Sequence, residues 1–149
     1  MSDDWDDYAD DWNDNEGVIT YANYTYEKLV AAIDLAALMV LDFGRGIGNL
    51  TEKMAPKADK VMAIDSSAKM ISILKDKNVK NVETHHLTLS DGDISEKFDL
   101  ITASSVFGFV SDFGAALHMM KGLLKPNGTL VQRDWLVRGM MILVLALIN

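Results

Sequence analysis

Apolar residues in this chain fall into short continuous runs, separated by stretches with a three- and four-residue repeat. Met39-Val40-Leu41-Asp42-Phe43 and Val61-Met62-Ala63-Ile64 are two such runs, the first ending at glycines. Runs of this length and character predict strands covered on both faces. Residues 82–86 read as a weaker strand, 98–103 as a stronger one, and 129–132 as a fifth, after the turn Pro126-Asn127-Gly128. Between them lie helical patterns. Residues 24–37 carry Leu29, Val30, Ile33 and Ala37 at helical spacing. A short helix over 49–54 is closed by Pro56, and Ser66 or Ser67 can cap the next one, which aligns Met70, Ile71, Ile73 and Leu74. Asp112 can cap a helix through Leu124, with Phe113, Ala116, Leu117 and Met120 on its apolar side.

Strands alternating with helices predict an α/β fold with a mainly parallel sheet and helices on both faces. Right-handed crossovers leave few topologies, and the order 3-2-1-4-5 is the natural one. A ligand then sits at the carboxyl ends of strands one and four.

Length and charge change the picture in one respect. The 149 residues, 49% hydrophobic and 24% charged, suit a single globular domain. The net charge of −8 argues against a general nucleic-acid surface. It is unevenly placed: residues 1–27 hold nine acids and no Lys or Arg, leaving thirteen acids and fourteen bases elsewhere. Residues 1–20 therefore read as an acidic arm bearing Trp5, Tyr8 and Trp12, either a solvated tail or a flap over a ligand, and 21–149 as the domain. Without cysteine there is no disulfide and no thiolate chemistry. The acidic N-terminus does not read as a signal peptide, so none is expected. The longest apolar run, 140–148, is nine residues, where a membrane span needs about 20. A cytoplasmic protein with no membrane or nucleic-acid partner is expected.

The most informative stretch is Asp42-Phe43-Gly44-Arg45-Gly46-Ile47-Gly48-Asn49. Three glycines follow a buried strand and open a helix, where backbone can turn tightly and approach a ligand. A dinucleotide site wants glycines at x, x+2 and x+5. Here the third falls at x+4, and Asn49 stands at x+5. Asp42 would repel a pyrophosphate but suits an ammonium group. Asp65 ends the second strand 21 residues after Gly44, where an acid accepts from ribose hydroxyls. An amine at one end and a ribose further along describe S-adenosylmethionine. The plainer alternative is a tight turn, with Asp65 only capping the next helix.

DFGRGIG followed by VMAIDSSAKM resembles the first two motifs of class I S-adenosylmethionine-dependent methyltransferases. FDLITASSV is similar to their fourth strand, and LLKPNGTLV to the turn into the fifth, so the resemblance covers roughly residues 20–135. It implies a Rossmann-like three-layer sandwich and S-adenosylmethionine as cofactor. Asp42, Gly44, Gly46 and Gly48 would line the methionine part, and Asp65 would bind the ribose. Ser66 would lie beside the adenine, and Ser104 near the methionine moiety and the reacting centre. Where the family places an acid that reads the adenine amino group, Thr88 and Leu89 stand here, with Asp91 slightly later. Arg45 replaces a small residue or cysteine, and Ile47 a frequent hydroxyl. The family continues beyond strand five with a helix and an antiparallel strand pair. Here about sixteen residues follow Arg133, so the sequence reads as cut short after strand five.

The expected function is methylation of a small-molecule acceptor, with a catalytically silent binding or assembly module as the alternative. No catalytic residue is assigned. Phe107 and Phe109 either line an acceptor pocket or pack in the core. His85 and His86, adjacent on a strand, point to opposite faces and do not chelate one metal; His118 reads as structural. No metal site is expected. The apolar segment 140–148 is either a buried strand or a helix against a partner, which allows a homo-oligomer through it.

Overall fold

The computed structural model describes residues 16–43, 49–87, 94–104, 113–136 and 140–147. In chain order the elements are α1 (Glu16–Ala32), β1 (Met39–Phe43), α2 (Asn49–Met54), β2 (Lys60–Asp65), α3 (Ala68–Asp76), β3 (Val82–His86), β4 (Phe98–Ser104), α4 (Phe113–Leu123), β5 (Leu124–Leu136) and β6 (Met140–Leu147). They form one sheet in the order β3-β2-β1-β4-β5-β6. The first five strands run parallel, in the expected order 3-2-1-4-5, and β6 lies antiparallel to β5.

Alternation along the central strands sorts their side chains into two layers. Leu41, Phe43, Met62, Ile64, Ile101 and Ala103 pack on one face with Ala116 and Met120 of α4. Val40, Val61, Leu100 and Val131 pack on the other with Leu29 of α1 and Leu50 and Met54 of α2. Burial on both faces is why these strands are apolar at consecutive positions. Asp42, Asp65 and Thr102 are the polar intruders, all buried.

The helix expected over 24–37 instead spans Glu16–Ala32, so it begins inside the stretch assigned to the arm. Ala22, Thr25 and Leu29, at three- and four-residue spacing, are its buried line, whereas Val30 is 40% exposed rather than on the apolar face. The helix stops because Asp34 Oδ1 accepts from the backbone N–H of Ala36 at 3.0 Å, a local bond that competes with helical pairing. Ala37 then takes a left-handed conformation at φ 62°, turning the chain into β1. Of the two cap candidates it is Ser67 that serves, its side chain accepting from Met70 N–H at 3.1 Å.

Pro126-Asn127-Gly128 does not precede β5 but interrupts it. Phe98 pairs with Leu124 and Leu100 with Thr129, so the turn is looped out as an irregularity in the ladder. Asn127 sits at φ 66°. A Cβ on Gly128 would lie 2.9 Å from the Lys125 carbonyl oxygen and 3.1 Å from that of Phe98. Both obstacles are backbone, so Gly128→Ala is expected to lower the unfolding free energy by about 1–3 kcal/mol, measured by urea denaturation.

The C-terminal apolar run is a strand, not a helix. β6 pairs with β5 from Thr129↔Leu147 to Leu136↔Met140. Of the two readings of this segment the strand is the one that forms, a single antiparallel strand beyond strand five. Among the described residues no helix is long and apolar enough to cross a membrane.

At the other edge, Glu83 accepts from Lys60 and lies 2.6 Å from His85 Nε2. The bond from Lys60, then that from His85, holds the Glu83 carboxyl below its usual range, and Glu83 holds the Lys60 ammonium above its own. The Glu83 contribution is present above the ordinary carboxylate pKa and fades as pH falls through the lowered value. The Lys60 contribution persists below the ordinary lysine pKa and is lost as pH rises through the raised one. These groups are more than a third exposed, so Glu83→Gln is expected to cost only about 0.3–0.5 kcal/mol at neutral pH. Denaturation of both proteins in strong acid should show that difference gone.

Candidate functional site

Parallel strands bring all their carboxyl ends to one edge of the sheet, and the strand order reverses direction between β1 and β4. β1 delivers Asp42 there, β2 delivers Asp65, and β4 ends at Ser104. The sequence expectation thus gathers three of its residues at one place.

Asp42 is completely buried on the α1–α2 side of the sheet. Its Oδ2 accepts from Thr51 Oγ1 at 2.6 Å, and its Oδ1 from Thr102 Oγ1 at 2.9 Å. Thr102 is the residue registered opposite Asp42 in β4, and Thr51 comes from the first turn of α2. Two hydroxyls on separate elements therefore fix the carboxylate's rotation. Sequence reasoning missed both threonines. Only the β1–β4 register makes Thr102 a neighbour of Asp42.

Asn49 opens α2 directly after the glycine loop. Its side-chain amide nitrogen Nδ2 is buried and has no hydrogen-bond partner. Leaving such a donor unsatisfied costs about 1–3 kcal/mol, so an acceptor brought by a ligand would relieve it.

Asp65 is 8% exposed at the end of β2. Its Oδ1 accepts from the backbone N–H of Ser67 at 2.8 Å, so the carboxylate does brace the start of α3, as the plainer reading holds. Ser66, half-buried, lies between them, and its carbonyl accepts from His86 Nε2 at 2.7 Å. His85 and His86 take different partners, Glu83 and Ser66, as their alternation on β3 requires. His118 is exposed on α4. Among the described residues no group of three or more His, Asp or Glu side chains is placed to hold a metal ion.

Gly44, Arg45, Gly46, Ile47, Gly48, Thr88, Leu89, Asp91, Phe107, Phe109 and the aromatic residues of the arm lie outside the described residues. A hollow of about 630 Å³ lies near the amino ends of β1 and β2, bordered by Tyr26, Val30, Ile33, Asp34 and Lys57. It is remote from the acids at the carboxyl edge, and the named polar bond there is the local one of Asp34 to Ala36.

Residues 19–144 match the family model described as a methyltransferase domain. The chain belongs to that family. A ubiquinone biosynthesis O-methyltransferase of Rhodopseudomonas palustris (strain HaA2) is 35% identical to it over 108 residues, which are 68% of this chain and 43% of that protein. One from Bradyrhizobium diazoefficiens is 32% identical over 118 residues, 74% of this chain and 47% of that protein. This methyltransferase-domain chain therefore spans less than half the length of these relatives. Among solved structures, the DhpI–SAH complex superposes with a TM-score of 0.75 at 21% identity, over 95% of this chain and 75% of that one. The N-methyltransferase NodS from Bradyrhizobium japonicum in complex with S-adenosyl-L-homocysteine gives 0.68 at 23%, over 80% and 63%. These two likenesses establish the shared fold.

Proposed function

We propose that this methyltransferase-domain chain binds S-adenosylmethionine at the carboxyl edge of β1, β2 and β4 and transfers its methyl group to a hydroxyl of a small molecule. The observation that carries the reading is the pair of buried acids, Asp42 and Asp65, at the carboxyl ends of adjacent parallel strands, with the buried, unpartnered Asn49 amide opening the helix that joins those strands. Donor, carboxylate and carboxylate match the carboxylate, ammonium and ribose hydroxyls of one elongated ligand. The residues present therefore fit the cofactor.

In this reading the Asp42 carboxylate, oriented by Thr51 and Thr102, attracts the ammonium, and the Asn49 amide donates to the ligand's carboxylate. Asp65 accepts from ribose hydroxyls, and Ser66 lies beside the adenine. Backbone of Gly44, Gly46 and Gly48 lines the methionine portion, Thr88 and Leu89 flank the adenine, and Ser104 lies towards the reacting centre. The cofactor, when bound, supplies a methyl group activated on positive sulfur. The chain's own contribution is alignment in a site that excludes water, so no general base needs to be assigned. The relatives named as O-methyltransferases support a hydroxyl as the acceptor.

Incubation with methyl-labelled S-adenosylmethionine and a panel of small phenols and catechols tests the proposal. Label recovered in an aryl methyl ether is the expected result. Donor binding with no transfer to any acceptor would favour the silent binding module instead.

A further inference from the structure

The turn that presents Asp65 is gripped from β3 as well as from its own helix. Asp65 registers opposite His86, and the Leu87 N–H donates to the Asp65 carbonyl at 3.1 Å. His86 Nε2 donates to the Ser66 carbonyl at 2.7 Å. A carbonyl only accepts, so this contact places a proton on Nε2. On the far side, the Ser67 N–H donates to Asp65 Oδ1 at 2.8 Å. The Ser66 carbonyl and the Ser67 N–H belong to one planar peptide unit. That single plane is therefore held at its oxygen by His86 and at its nitrogen by the Asp65 carboxylate. Rotation of the plane would carry the N–H away from Oδ1 and release the carboxylate.

His86 itself is exposed, and a turn carbonyl at the surface can take water in its place. Folding alone thus gains little from the imidazole. We propose that His86 is a positioning residue for the nucleoside half of the donor, acting through the 66–67 peptide to hold the Asp65 carboxylate where it meets the ribose. The inference rests on the placement of the donor at Asp65 given above.

Calorimetric titration of the full chain with S-adenosylhomocysteine and with 5′-methylthioadenosine, which lacks the amino-acid end, tests it. His86→Ala should weaken both ligands by the same factor, about 3- to 10-fold, with the thermal midpoint little changed. His86→Gln, whose amide offers a donor at similar reach, should stay within about 2-fold of the wild type. Alanine binding both ligands as the wild type does, or alanine and glutamine losing equally, would overturn the positioning role while leaving the donor site intact. A wild-type chain that binds neither ligand would overturn the donor site and, with it, this inference.

Discussion

Asp42→Ala should both destabilise the protein and remove donor binding. The substitution leaves the buried hydroxyls of Thr51 and Thr102 without the acceptor each now uses. Each lost buried partner costs about 1–3 kcal/mol, so a fall of about 2–6 kcal/mol in unfolding free energy is expected from urea denaturation. Asp42→Asn separates the two effects. The amide keeps an acceptor for one threonine, and the other hydroxyl can turn to accept from the new NH₂. Most of the stability should survive in this variant. The charge does not survive, so S-adenosylhomocysteine should bind about 10- to 100-fold more weakly, the worth of a charge-assisted hydrogen bond. An Asn variant that binds as tightly as the wild type would show that Asp42 is a structural anchor only.

Asp65→Ala is the second large effect, and its division is the reverse. The wild-type carboxylate braces one backbone N–H of the β2–α3 turn. Ser67 continues to cap α3 through Met70, so the cost to folding should be only about 1 kcal/mol. The loss to the ligand should be larger, about 10- to 100-fold in the dissociation constant for S-adenosylhomocysteine, because a carboxylate accepting from ribose hydroxyls has no substitute in alanine. If Asp65 served only as a cap, the variant would lose stability and keep its affinity.

The central sheet was legible because its strands are buried on both faces. β1 has the bounds that its apolar run suggests, the weaker, only partly buried strand expected over 82–86 forms as β3, and the alternation with helices implied the order of the first five strands. Local patterning failed where a polar side chain competed with the helix: Asp34 ends α1 early, and Val30, apolar in sequence, faces outward. It failed again at Pro126-Asn127-Gly128, whose turn signal is real but is absorbed as an irregularity within β5. The fate of segment 140–147 depended on whether β5 had a free edge to offer, which periodicity does not reveal.

At the site, the two acids were readable from their place after apolar runs. Their support was not. Thr51 and Thr102 become partners of Asp42 only through tertiary register, and His86 meets Ser66 only once β3 lies beside β2. Asn49 was noticed as a departure from a dinucleotide pattern, whereas its buried, unpartnered amide gives the same residue a positive role.

The most direct measurement is a calorimetric titration of the wild-type chain with S-adenosylhomocysteine, repeated with Asp65→Ala. Saturable binding at one site, weakened by at least about 10-fold in the variant, is the predicted result. No detectable binding to the folded wild-type chain, or equal affinity in the two proteins, would contradict it.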